Sequence, residues 1–165
     1  MGLTGQAFRL TVDTEQVNRS GPFMYFWEPV FREGLANIGL SCKMSGDGGI
    51  TPSPFMLRGS IEHIQDIIGE GKPVIAWDLF TSEFGVVYGY DEKEQLLLVE
   101  DSRKKQAIPY ERLGSGASQG LFVLSLSSAG DQPDYRMAVK KALQMAVRHA
   151  FRERTFVGYT CGIAA

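Results

Sequence analysis

The side chains able to serve as nucleophile, base or metal ligand are few in this sequence. Its two thiols are Cys42 and Cys161, and its two imidazoles are His63 and His149. Cys161 follows Tyr159-Thr160, precedes Gly162 and lies twelve residues beyond His149, a placement that could make a thiol nucleophile and its base. A buried, unreactive cysteine is the commoner role, and Cys42, inside the strand-like run 40–44, fits it better still. His63 reads as a half-exposed residue in the first turn of a helix, and His149 as one set between an apolar and a basic helix face. Neither the histidines nor the carboxylates show ligand spacing, and the cysteines are too far apart for a zinc site or a disulfide framework. The chain is therefore expected to carry reduced thiols, no metal and no cofactor.

Other chemistry is excluded by missing motifs. The sequence has no phosphate loop of the GxxxxGK type, no GxGxxG between a strand and a helix and no HExxH. Gly46-Asp47-Gly48-Gly49 could offer backbone donors to an anion, but the following Ile50-Thr51-Pro52-Ser53-Pro54 forbids an immediate helix, so the cradle geometry is missing and a surface loop is expected. Lys141, Arg148 and Arg152, with Arg103-Lys104-Lys105, could meet an acidic carrier or a phosphate, although a solvated helix face is the plainer role. Tyr25-Phe26-Trp27 could line an apolar site, but an aromatic cluster at a helix start more often joins the core.

These residues sit in a chain of 165, with 17 Lys plus Arg against 19 Asp plus Glu, 44% hydrophobic and 22% charged. That is the composition of a globular domain able to bury a core without disulfide or metal staples. A net charge of −2 and a pI near 5.7 remove the electrostatic case for nucleic acid or an anionic membrane as main partner. No apolar run reaches the ~18 to 20 residues of a membrane span, and the opening MGLTGQ lacks the plan of a signal peptide, so a cytoplasmic setting is expected.

Periodicity supplies the elements. Phe8, Leu10 and Val12 alternate with polar neighbours, predicting a short strand over 6–13. Pro29 near its start and Gly39 at its stop frame a short amphipathic helix. Ser60 is the expected N-cap of a second helix, with Ile61, Ile64, Ile67 and Ile68 as its core stripe before Gly69 and Gly71. Residues 74–80, apolar, β-branched and aromatic, predict a central strand buried on both faces. Residues 85–90 and 95–99 read as a hairpin, 113–120 as a loop and 121–126 as a further strand. Asp131 and Pro133 then open the longest helix, with Tyr135, Val139, Ala142, Leu143, Ala146, Val147 and Ala150 on its expected core face. Helices followed by consecutive strands and a last helix define an α+β class with a mainly antiparallel sheet.

The most specific stretch is GKPVIAWDLFTSEFGVVYGYDEKEQLLLVEDS, running through Asp101. It resembles the papain-like cysteine peptidase superfamily in its bacterial form. In the double-glycine peptidases of that superfamily a helix leads through G-x-P-V-I to a histidine opening the next strand, then to GYD, and then to a strand ending in Asp. Gly71, Pro73, Val74, Ile75, Gly89-Tyr90-Asp91 and Asp101 carry the correspondence. The opening MGLTGQAFR is similar to a segment in relatives of the N-terminal region of butirosin-biosynthesis protein H, a papain-like acyltransferase type. The resemblance covers roughly residues 1–126 and implies a papain-like half-domain over 1–130, with 131–165 as a helical extension.

That superfamily's chemistry uses a thiolate at a helix N-terminus, a histidine that takes its proton, and an Asp or Asn that orients the histidine. Here the nucleophile would lie upstream of the matching region, where the chain has no cysteine, and Glu83-Phe84 fills the histidine slot. Only Asp101 matches in type. The expectation is a papain-like scaffold that lacks the peptidase machinery and binds a peptide, acyl chain or other small molecule. The alternative is a thiol-dependent peptidase or acyltransferase whose cysteine lies upstream of this stretch. Glu83 would be the polar or basic group, needing a raised pKa to act as a base, with Asp101 as orienter, Trp77 as a wall, and Asp78 and Phe84 beside the ligand. Self-association through the long C-terminal helix is a further expectation.

Overall fold

Local chain chemistry sets most element boundaries in the computed structural model of the protein, which describes residues 2–17, 20–46, 52–130, 133–151 and 156–165. Gly5 sits at φ 74° and leads Gln6–Phe8 into a 3-10 turn, so only Thr11–Asp13 (β1) is extended. The strand expected over 6–13 is thus cut short, and its faces are reversed. Thr11 is buried, while Phe8, Leu10 and Val12 are exposed. Helix α1, Trp27–Ala36, ends before Gly39 at φ 75°, as its proline and glycine predict. Strand β2 covers Leu40–Gly46; the rest of the glycine loop lies outside the described residues.

Helix α2 covers Pro54–Gly69 and starts well before the expected Ser60. Ser53 is the true N-cap, its hydroxyl accepting from the Met56 N–H at 3.3 Å, with Pro54 in the first turn where a missing N–H costs nothing. Ser60 is instead 1% exposed in the middle of the helix and shares a 2.7 Å hydrogen bond with Ser45 Oγ. The isoleucine stripe behaves as expected, with Ile61 and Ile64 buried and Ile67 and Ile68 partly so. His63 departs from expectation. It lies on the buried side of α2, one position from Ile64, and is 8% exposed.

Strand β3 covers Val74–Trp77 and stops three residues sooner than the apolar run suggests. Asp78 adopts φ 56°, a left-handed conformation that breaks the pleat. Strands β4, Phe84–Asp91, and β5, Leu96–Glu100, form the predicted hairpin. Its turn is fixed by Gln95 at φ 53° and by Asp91 Oδ1, which accepts from the Glu94 N–H. Strand β6, Lys105–Pro109, was not anticipated; it is an edge strand with only Ile108 fully buried, so it shows no apolar alternation. Strand β7 covers Phe122–Ser128 and helix α3 Tyr135–Phe151, followed by β8, Tyr159–Cys161, and a 3-10 turn at Gly162–Ala164. The expected opening residue of α3, Asp131, and the basic-face residue Arg152 lie outside the described residues. Asp134 caps the helix, its Oδ1 accepting from the Arg136 N–H at 2.9 Å.

The six-stranded sheet has the order β2-β7-β3-β4-β5-β6, which puts β3 inside it, and its registered neighbours pair antiparallel. A two-stranded sheet joins β1 to β8. The protein is therefore of the α+β class. The chain divides into two compact units, Met1–Cys42 with Ser127–Ala165, and Lys43–Leu126. The second holds one large apolar cluster in which α2 lies on β3 and β4, with Ile64, Val74, Ala76, Val87, Leu97, Val99 and Val123 among its most buried members. Each such Ile, Val or Leu side chain contributes roughly 1.5 to 3 kcal/mol on full burial. In the first unit the buried stripe of α3 is Ala138, Ala142, Met145 and His149, rotated from the expected face. The small side chains at 138 and 142 admit close backbone approach, and Asn37 bridges the Leu3 and Ala138 carbonyls, each at 2.9 Å. Among the described residues no helix is long and apolar enough to cross a membrane.

Candidate functional site

The end of β3 gathers the residues singled out in the sequence. Trp77 and Phe84 are cross-strand partners on β3 and β4, and their rings meet at 4.9 Å and 65°. Phe84 also meets Phe122 on β7 at 5.9 Å, giving an aromatic wall across neighbouring strands. Trp77 Nε1 donates to Ser118 Oγ at 3.0 Å, and that hydroxyl donates onward to Asp78 Oδ2 at 2.8 Å. The Ser118 N–H donates to the same oxygen. Asp78 is 2% exposed, and its second oxygen, Oδ1, is buried with no partner. Gly116 makes this possible, since a Cβ there would fall 2.5 Å from the Asp78 carboxyl carbon. Only a glycine lets the 113–120 loop lie against the carboxylate.

The left-handed turn at Asp78 leads into a second corner. The Asp78 N–H donates to the Glu83 carbonyl at 2.9 Å, closing the turn and setting Thr81 and Glu83 beside the end of β5. Thr81 Oγ1 lies 2.7 Å from Glu83 Oε1 and 3.3 Å from Asp101 Oδ2, so one hydroxyl proton is shared between two carboxylates. Ser102 Oγ also donates to Glu83 Oε1. The Ser102 and Thr81 hydroxyls together hold the Glu83 carboxyl below its ordinary value of 4.5, against the opposing charge of Asp101. Asp101 in turn shapes the β5 to β6 connection, its Oδ1 accepting from the Arg103 N–H at 2.8 Å and the Lys104 N–H at 2.9 Å.

The five expected residues thus fall at one end of the sheet. Trp77, Asp78 and Phe84 form one corner around Ser118, and Glu83 and Asp101 form the other around Thr81. Sequence reasoning missed Ser118, Thr81 and Ser102. Ser118 lies at the centre of Gly116-Ala117-Ser118-Gln119-Gly120, a GxSxG spacing that could have marked it, although here it leads into β7 and not into a helix, and its contact with β3 spans 40 residues of chain. Thr81 and Ser102 flank Glu83 and Asp101 in sequence, and that was their one available signal.

The thiols and imidazoles occupy other places in the fold. His63 Nε2 lies 3.0 Å from Ser125 Oγ, and burial, aided by Lys43 and opposed by Asp66, lowers its pKa from 6.5. His149 Nε2 accepts from the Leu10 N–H at 2.8 Å. The Gly162 N–H donates to the Leu10 carbonyl at 3.1 Å, so the chain around Cys161 and the end of α3 meet at the Leu10 peptide. Burial pushes the Cys42 thiol above its ordinary 9.0, with Arg32 opposing. Among the described residues no group of three or more side chains is placed to hold a metal ion.

The groups assembled at the sheet end are carboxylates, hydroxyls and an indole N–H beside aromatic rings. They can accept hydrogen bonds from N–H groups or a cation and can cover an apolar surface. The fold and the site together define an α+β protein with an acceptor-rich corner at the end of its central strand. The chain matches no family model and no curated protein.

Proposed function

We propose that this chain is a binding module on a papain-like scaffold, taking a peptide-like or other small ligand that joins a hydrogen-bond donor to an apolar group. The carrying observation is the pair of half-buried carboxylates, Glu83 and Asp101, sharing the Thr81 hydroxyl at the same end of the sheet as the Trp77 and Phe84 rings. A carboxyl held below 4.5 is a fixed anion near neutrality and a poor base, so Glu83 serves recognition better than proton transfer. The order of α2, β3, β4 and β5, with Asp101 directly after β5, supports the papain-like reading. A cytoplasmic setting with reduced thiols belongs to the same reading. It is tested by calorimetry with phenylalanine amide, which carries an ammonium and a ring, against N-acetylphenylalanine, which carries the ring and a carboxylate. The amide is expected to bind and the acid not, with Glu83→Gln and Asp101→Asn each weakening the amide by about tenfold. Equal binding of the two probes, or of wild type and both variants, overturns the proposal.

A further inference from the structure

Helix α3 has two apolar faces, and only one is used inside its unit. Ala138, Ala142, Met145 and His149 are buried, while Tyr135, Val139, Leu143, Val147 and Phe151 follow each other at intervals of one turn on a second face. Four of these five are well exposed, from 53% at Leu143 to 70% at Phe151. The stripe, flanked by Arg136, Lys140 and Arg148, is an open face formed by α3 alone. Val139 and Leu143 continue it into a hollow of about 440 Å³, whose far wall is Leu3, Phe8 and Ile38. The result is a groove between α3 and the N-terminal segment that opens onto an apolar helix face with cations along one side.

We infer that this groove docks an acidic amphipathic helix of a partner protein. Helix α3 carries Arg136, Lys140, Lys141 and Arg148 and no Asp or Glu; Arg148 is ion-paired with Glu33, so Arg136 and Lys140 supply the rim's attraction for an acidic partner. A second copy of α3 would set cations against cations, and a flat bilayer does not follow a concave groove walled by the N-terminal segment. An amphipathic helix inserts leucine-like anchors at i, i+3, i+4 and i+7 into such a groove, and acidic residues on its flank would meet the rim. Seventeen residues of α3 give roughly 25 Å of length, enough for several anchors.

The test uses the full chain and a fluorescein-labelled synthetic helix with leucines at helical spacing flanked by glutamates, compared with the same leucines flanked by lysines. Fluorescence anisotropy is expected to show about tenfold tighter binding of the glutamate peptide, weakening as salt rises. Leu143→Glu should abolish binding, and Arg136→Glu with Lys140→Glu should reverse the preference toward the lysine peptide. Reversal reads the groove and not folding, because both positions are exposed. Equal binding of the two peptides overturns the inference. So does sedimentation with phosphatidylserine vesicles in place of peptide binding, which would assign the face to a membrane. A concentration-dependent rise in mass by light scattering that Leu143→Glu removes would assign it to a second copy and overturn it likewise.

Discussion

Asp78 is held in a backbone conformation that few non-glycine residues tolerate, and its side chain explains why it stays there. At φ 56° it turns the chain out of β3, and its Oδ2 takes both the N–H and the hydroxyl of Ser118. Asp and Asn are among the residues that visit this region most readily. Asp78→Ala is expected to lower the unfolding free energy by about 2 kcal/mol in urea titration, because it strands two partly buried donors. Asp78→Asn keeps an acceptor for Ser118 and should cost less. A larger loss in the Asn variant would show that the negative charge itself holds the loop. His63 gives a pH prediction with a definite sign. Its folded pKa is depressed below 6.5, so the stability of the neutral buried ring is fully present above pH 6.5 and is lost as pH falls through the lowered folded value. Lys43 adds to the depression and Asp66 opposes it. Urea midpoints should therefore decline below pH 6.5 in the wild type and flatten in His63→Gln; an unchanged slope in the variant would exclude His63 as the cause.

At the scale of elements, capping chemistry and periodicity located helices better than they located faces. Ser53, followed by Pro54, marks the start of α2, and its hydroxyl satisfies the Met56 N–H. Ser53→Ala should cost about 1 kcal/mol in urea denaturation, and Ser53→Asp should restore most of it. A null effect would mean the α2 start is held by its packing alone. Ser60 misleads a reader because serine is both a cap and a small polar residue that fits against Ser45. The same ambiguity governs α3. Two apolar stripes run along it, and most of the larger residues lie on the exposed one, so periodicity alone did not settle which face is buried. Strands β3, β4 and β5 were legible from their apolar runs, whereas β6 was not, because an edge strand with Lys105, Gln106 and Pro109 needs only one buried residue.

At the scale of the molecule, the two units differ in how they are held. Lys43–Leu126 has a continuous aliphatic core, while the other unit buries Tyr25, Val30, Ala138, Ala142 and Met145 and depends on polar ties such as Asn37 and His149. Native-state hydrogen exchange should find the slowest amides in β3, β4 and β5, at the free energy of global unfolding. Amides of β1, β8 and α3 should open through smaller fluctuations, by several kcal/mol. Uniform protection across all of these elements would contradict that difference.

The α+β class, the hairpin from Phe84 to Glu100 and the isoleucine stripe of α2 were legible along the chain, because these depend on local periodicity and on turn residues such as Asp91. The sequence also placed Asp78, Glu83, Phe84 and Asp101 at or just beyond strand ends. What those residues touch emerges only in the folded chain. The Ser118 bond to Asp78, the Thr81 proton shared between Glu83 and Asp101, and the burial of His63 against Ser125 join segments distant in sequence. Such contacts depend on how a loop or strand is carried back across the sheet, and no local pattern encodes that path.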